Sequence, residues 1–353
     1  MHGLCPLWSP VLFYDPGTTA GNTAYRGLPG QARPAAPEGR LFLLYSQSSK
    51  ALCPGGDIKL IQSSDCGTTW SPPQTLLSHE SEGGVPKLLG GRILETRGGA
   101  WVLPFSRVPP PSSVEPAPPL PPGAAPDCGP ASAGVLVSYD RGRSWRVCGQ
   151  VLSEDGAAFI GGSVVELAPR AGRPVESRLL MVLRSAASGL ALQTISMNGG
   201  ETWQAAKSVE CRQDGCPEDG DVRMPACSAQ PYALYKLAGG SLLLAACCEP
   251  ASGVSAPAAV SAEAVVPGDS DHRGMQPQIA LSDDDGQTWK MKGGFSIMSM
   301  PEKPCSVACT VECPPAAVVA AAESGQKLSL LVGVVLEGQG LQLCRTSLEV
   351  DSK

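Results

Sequence analysis

Histidine is nearly absent, with only His2, His79 and His272 in 353 residues. A Ser-His-Asp triad or a His-based metal centre therefore has little to draw on, and neither a metal nor any other cofactor is expected. Aromatic residues make up 5% and charged residues 17% of the chain. No run of about 18 apolar residues occurs, so no membrane span is read. The formal charge is −6, whereas sequence-independent nucleic-acid binders are basic, so no nucleic-acid partner is expected. The first residues, Met1 to Phe13, lack a positive stretch followed by a long apolar one, so no signal peptide is read. What the chain has in excess is Gly (41) and Pro (34), about a fifth of all residues. Helix interiors tolerate neither, which excludes a helical bundle. Apolar content of 42% excludes a disordered chain. The 14 Cys are read as small packing residues in a reducing, intracellular setting, and their spacing is not that of a zinc site.

One pattern recurs four times. It reads Ser63-Ser64-Asp65-Cys66-Gly67-Thr68-Thr69-Trp70, then Ser138-Tyr139-Asp140-Arg141-Gly142-Arg143-Ser144-Trp145. It returns as Ser196-Met197-Asn198-Gly199-Gly200-Glu201-Thr202-Trp203 and as Ser282-Asp283-Asp284-Asp285-Gly286-Gln287-Thr288-Trp289. Asp or Asn bonds nearby backbone and Gly supplies positive φ, so each box predicts a hairpin turn. The Trp is expected to fold back and bury its ring between strands. These residues are read as structural staples.

The surroundings repeat as well. A strand is predicted before each box, over 57–62, 133–138, 190–196 and 278–282. A more apolar strand precedes each of these, over 41–45, 101–105, 179–184 and 241–247. A further strand precedes each of these, as over 164–167 and 232–235. A fifth unit without a box is read over 316–322, 328–332 and 341–344. Such four-stranded antiparallel units at intervals of 50 to 90 residues read as β-propeller blades. Two loop inserts, 109–130 (Pro-rich) and 249–275 (Ala/Ser/Pro-rich), are placed between second and third strands. Because strands alternate in direction, the boxes lie at one end of the blades and the inserts at the other, where a propeller binds its ligand.

Four boxes on blade-like units resemble the sialidase (neuraminidase) superfamily, the Asp-box or BNR-repeat proteins. Trp8-Ser9-Pro10-Val11-Leu12-Phe13 and Gly134 to Asp140 look like the plant and bacterial branch. The resemblance implies one sialidase-like propeller domain over residues 1–353, all-β and six-bladed, of which about five blades are visible. It also implies that the chain begins at the second blade, which leaves an open edge for self-association and puts any targeting segment upstream.

The resemblance further implies an exo-α-sialidase-type glycoside hydrolase fold that binds a glycan or sugar acid. Such chemistry uses an Arg cluster on the substrate carboxylate, a Tyr nucleophile paired with Glu, and an Asp acid/base. Arg184 matches an Arg that the family carries, and Lys87 and Arg107 are cations near the same end. These three are the ligand-binding candidates. Elsewhere the match fails: Cys313-Pro314 stands where an aromatic precedes Pro, Ile160-Gly161-Gly162-Ser163 has lost a polar side chain, and Ser9 replaces an amide. Tyr139 sits at the box end. No catalytic residue is assigned, and little activity is expected. The alternative is a non-catalytic propeller that binds a glycan or a protein.

Overall fold

The computed structural model describes residues 6–17, 39–48, 55–80, 85–108, 132–152, 159–170, 172, 177–186, 188–213, 222–224, 232–237, 240–248, 276–292, 309–312, 328–336 and 340–348. They are organised as mostly antiparallel sheets in two compact units, Met1–Ala187 with Leu192–Lys207, and Ser188–Ala191 with Ser208–Lys353.

The first unit holds three sheets. Sheet one runs in the order β1 (Leu7–Asp15), β2 (Arg40–Gln47), β3 (Asp57–Ser63), β4 (Gln74–Leu77). Sheet two has β5 (Lys87–Leu89) and β6 (Leu94–Glu95), both paired with β7 (Trp101–Arg107), followed by β8 (Ser132–Ser138) and β9 (Arg146–Leu152). Sheet three runs β10 (Phe159–Glu166), β11 (Leu179–Ser185), β12 (Ala191–Ser196), β13 (Lys207–Ser208).

Side-chain pattern follows position. In sheet one, Val11, Phe42, Leu44, Ile58 and Leu60 alternate onto one face and pack against Trp101, Leu103, Phe105 and Leu136 of sheet two. The opposite face of sheet two, with Val102, Val135 and Val137, packs against Val164, Leu179, Met181 and Leu183 of sheet three. Sheet two is thus covered on both faces. This is why β7 and β8 are near-continuous apolar runs, whereas β3 alternates. Pro104 interrupts β7, yet its missing N–H faces the break between β5 and β6, where its carbonyl accepts from Gly90 N at 2.8 Å.

The second unit departs from a plain four-stranded blade. Its larger sheet runs β15 (Val222–Arg223), β14 (Glu210–Gln213), β19 (Trp289–Lys292), β18 (Gln276–Ser282), β17 (Leu242–Cys248), β16 (Ala233–Lys236). The β14–β19 pair is parallel, with Cys211 opposite Trp289. An outer strand presents a row of unpaired backbone groups, and β14 covers it. The last sheet has three described strands, β20 (Cys309–Glu312), β21 (Leu328–Leu336) and β22 (Gly340–Leu348). β21 pairs with Cys309–Glu312 on one side and with β22 on the other. The strand predicted over 316–322 lies outside the described residues, as do the inserts 109–130 and 249–275 and Cys313-Pro314. The flanking strands β7 and β8, and β17 and β18, are paired neighbours. Among the described residues, no helix is long and apolar enough to cross a membrane.

Candidate functional site

Each box joins a third strand to a fourth, and all four share one bonding pattern. The first Ser hydroxyl donates to the Asp or Asn Oδ1 at 2.7, 2.9, 3.0 and 2.8 Å in chain order. The same hydroxyl accepts the Gly amide at 2.8 to 2.9 Å. Oδ1 also accepts the amide of Thr69, Ser144, Thr202 or Thr288 at 2.8 to 2.9 Å. In the three Asp boxes the hydroxyl of that residue donates to Oδ2 at 2.5 to 2.6 Å. In the third box the direction reverses, and Asn198 Nδ2 donates to Thr202 Oγ1 at 3.0 Å. The Ser and Thr hydroxyls are therefore the donors that fix the carboxylate, a larger role than flanking a strand. These bonds hold Asp65 down to about 2, those from Thr69 foremost. At Asp140 and Asp284 burial pushes the carboxyl up, but the bonds from Ser144 and Ser138, and from Thr288 and Ser282, outweigh it and leave it lowered.

The turn itself has two successive residues with positive φ: Cys66 and Gly67, Arg141 and Gly142, Gly199 and Gly200, Asp285 and Gly286. That is the geometry of a type I′ hairpin. Only the second of these positions is always Gly.

The Trp rings depart from uniform burial. Trp289 is 1% exposed, flanked by β14, but Trp70 is 36% exposed. Trp145 and Trp203 are half-buried against the two cores of the first unit. The turn alone does not bury the ring. Its indole N–H is bonded to the box Gly carbonyl at 3.0 Å in Trp70 and Trp203, and its outer face is covered only where another strand reaches it. Gly149 of β9 does this for Trp203, so closely that a Cβ there would lie 2.4 Å from the indole.

The three cations lie at the other end of the sheets. Trp101 is in register with Ser138 at the second box, and Arg107 ends the same strand opposite Ser132. Lys87 is in register with Arg107. Arg184 lies near the end of β11, opposite Ile160, whereas Ser177 before that strand accepts from Gly199 of the third box. The environments differ. Lys87 is fully buried, and its ammonium donates to the carbonyls of Ser78 at 2.9 Å and His79 at 3.2 Å. Arg107 lies 4.8 Å over the Phe105 ring and reaches Ser132 Oγ at 3.5 Å. Arg184 is 7% exposed.

At this same end the inner strands are bulged. In β1 the register shifts between Trp8 and Val11, with Ser9 at φ 47°, and in β10 it shifts between Ile160 and Ser163, with Gly161 at φ 67°. Gly161 accepts from Ser106 Oγ at 3.2 Å, and Gly91 N donates to Gly162 O at 2.7 Å. A Cβ on Gly162 would stand 2.9 Å from Pro104 Cβ. The polar side chain missing from this segment is thus replaced by a backbone-to-backbone approach between sheets two and three.

Among the polar pairs that the sequence reading does not contain are Arg141 with Asp15 and His79 with Asp57. Arg141 of the second box binds both carboxylate oxygens of Asp15, with its guanidinium 6.0 Å from the Trp101 ring centroid. His79 approaches Asp57 with its ring Nδ1 at 2.6 Å and its amide at 2.9 Å. The rarity of His is the one sequence signal that could have drawn attention to His79. The thiols of Cys66, Cys148 and Cys211 are free, and burial pushes Cys211 up to about 12.

A family model described as a BNR repeat-like domain matches residues 6–291. No curated protein matches the sequence. Among solved structures, a protein of unknown function from Dyadobacter fermentans is 13% identical, with a TM-score of 0.52 over 88% of this chain and 73% of its own. Trypanosoma rangeli sialidase is 14% identical, with a TM-score of 0.48 over 87% of this chain and 43% of its own. NanB sialidase from Streptococcus pneumoniae, as its K499G mutant, is 14% identical, with a TM-score of 0.46 over 87% and 40%. The chain thus spans less than half the length of either sialidase, and the likeness concerns the fold.

Proposed function

Since the chain belongs to the BNR repeat-like family, we propose that it is a six-bladed, sialidase-like propeller that recognises a glycan through its sugar acid, with little or no hydrolysis. The observation that carries this reading is Arg184, a buried arginine at the sheet end remote from the boxes. A guanidinium matches a carboxylate in bidentate geometry. Arg107, at the same end of the neighbouring sheet, supplies a second cation. Lys87 holds the link between β4 and β5 through the carbonyls of Ser78 and His79, and its part in recognition is indirect.

Weak turnover follows from the bulged segments. Ser9, Gly161 and Gly162 carry no ionisable group where the inner strands reach that end. The same feature favours a binding module over an enzyme. The test combines calorimetry with N-acetylneuraminic acid and hydrolysis of a fluorogenic sialoside. Binding that is lost in Arg184→Ala, with turnover well below 1 per second, is expected. Turnover of about 1–1000 per second, typical of enzymes, overturns the binding-module reading. Absence of binding by the unaltered chain overturns sugar-acid recognition and leaves a protein partner.

A further inference from the structure

We propose that the Asp57–His79 pair is a second contact point for the glycan, with the imidazole Nε2 presented to hydrogen-bond a sugar hydroxyl beyond the acidic residue; this rests on the sugar-acid reading above.

The pair lies at the correct end of its sheet. Asp57 opens β3 opposite Gln47, while Ser63 closes β3 at the first box opposite Leu41. Gly56, immediately before Asp57, exchanges both backbone hydrogen bonds with Lys87 at 3.0 Å. Lys87 is the register partner of Arg107. One bridge therefore connects the pair to the cation-bearing end of sheet two.

His79 is held from three sides. Its amide donates to Asp57 Oδ1 at 2.9 Å, its ring Nδ1 lies 2.6 Å from the same oxygen, and its carbonyl accepts from Lys87 Nζ at 3.2 Å. The Asp57 carboxyl is lowered: burial pushes it up, but the bonds and charge of His79, with Lys59, outweigh that. An ionised carboxylate can only accept, so Nδ1 holds the proton of the 2.6 Å contact and Nε2 is the ring nitrogen left to a ligand. Among the described residues nothing bonds Nε2, and the side chain is 32% exposed. A carboxylate that fixes the tautomer and orientation of an imidazole, leaving its far nitrogen to an incoming group, is the arrangement that bases and ligand-binding histidines use.

The test uses the full chain and two probes, N-acetylneuraminic acid and the trisaccharide sialyllactose. His79→Asn places an amide nitrogen where Nδ1 was and keeps the bond to Asp57, but removes Nε2. The trisaccharide is expected to bind His79→Asn about three- to tenfold more weakly than the unaltered chain, the value of one hydrogen bond. The monosaccharide should bind both equally. Long-range ¹H–¹⁵N spectra, simplified by the presence of only three His, should show the His79 proton on Nδ1. Equal trisaccharide affinities, or an Nδ1 without a proton, overturn the inference while leaving monosaccharide binding through Arg184 standing. Failure of both sugars to bind the unaltered chain removes the sugar-acid reading and this inference with it.

Discussion

Replacing Asp140 in the second box tests whether the boxes are held by their carboxylates. Its side chain accepts three bonds, from the Ser138 hydroxyl at 2.9 Å, the Ser144 amide at 2.9 Å and the Ser144 hydroxyl at 2.5 Å. Each is worth about 0.5–1.5 kcal/mol net. Partial exposure of the turn favours the lower half of that range, so Asp140→Ala should lose about 1.5–3 kcal/mol. Asp140→Asn should cost only about 1 kcal/mol, because Asn198 already shows the amide working in this place, donating to Thr202 Oγ1 at 3.0 Å. The pH dependence separates the two variants further. A carboxyl lowered in the folded state contributes stability that is present above its unfolded value and lost as pH falls through the folded one. For Asp65 that window runs from about 4 down to about 2, and Asp140 is shifted in the same direction. Asp140→Asn should therefore show a shallower loss of stability on acidification than the unaltered chain. Urea denaturation at pH 7 and pH 3.5 reads both effects. A loss below about 0.5 kcal/mol in Asp140→Ala, or equal losses in the Ala and Asn variants, would refute the carboxylate's role.

The Asp15–Arg141 pair should behave as a coupled unit. Removing either partner is expected to cost about 2–4 kcal/mol, and a double-mutant cycle should return a coupling of about 1–3 kcal/mol; additive losses in denaturation refute the pairing. Gly90→Ala would place a Cβ 2.4 Å from the Gly162 carbonyl and should lower stability by about 1–3 kcal/mol. Gly98→Ala, whose Cβ would meet nothing nearer than 3.8 Å, is the control and should leave the thermal midpoint unchanged.

Strand positions were legible in the sequence because local patterns set them. The strand predicted over 57–62 is observed as Asp57–Ser63, and that over 179–184 as Leu179–Ser185. Long-range features were not legible. Arg141 and Asp15 are 126 residues apart, and nothing local to either announces the other. Trp70 and Trp289 occupy the same box position, yet differ in exposure because only the second has a strand laid beside it. The parallel β14–β19 pair was invisible for the same reason, since β14 is short and its partner lies far along the chain. Lys87 and Arg184 were singled out as candidates from type and position. Their burial depends on the sheets around them, which no motif encodes.

The parallel pairing of β14 with β19 also has a consequence in time. On a ribosome, β14 and β15 emerge well before the strand that β14 is to flank. The roughly 75 residues between Gln213 and Trp289 take about 4–15 s to make at 5–20 residues per second. Hairpins form in microseconds, so the β14–β15 hairpin spends almost all of that interval with one edge unoccupied. Synthesis, not folding, sets how long that edge is open to other nascent chains. Slower translation across 214–288 lengthens the exposure, and a chaperone that shields strand edges shortens it.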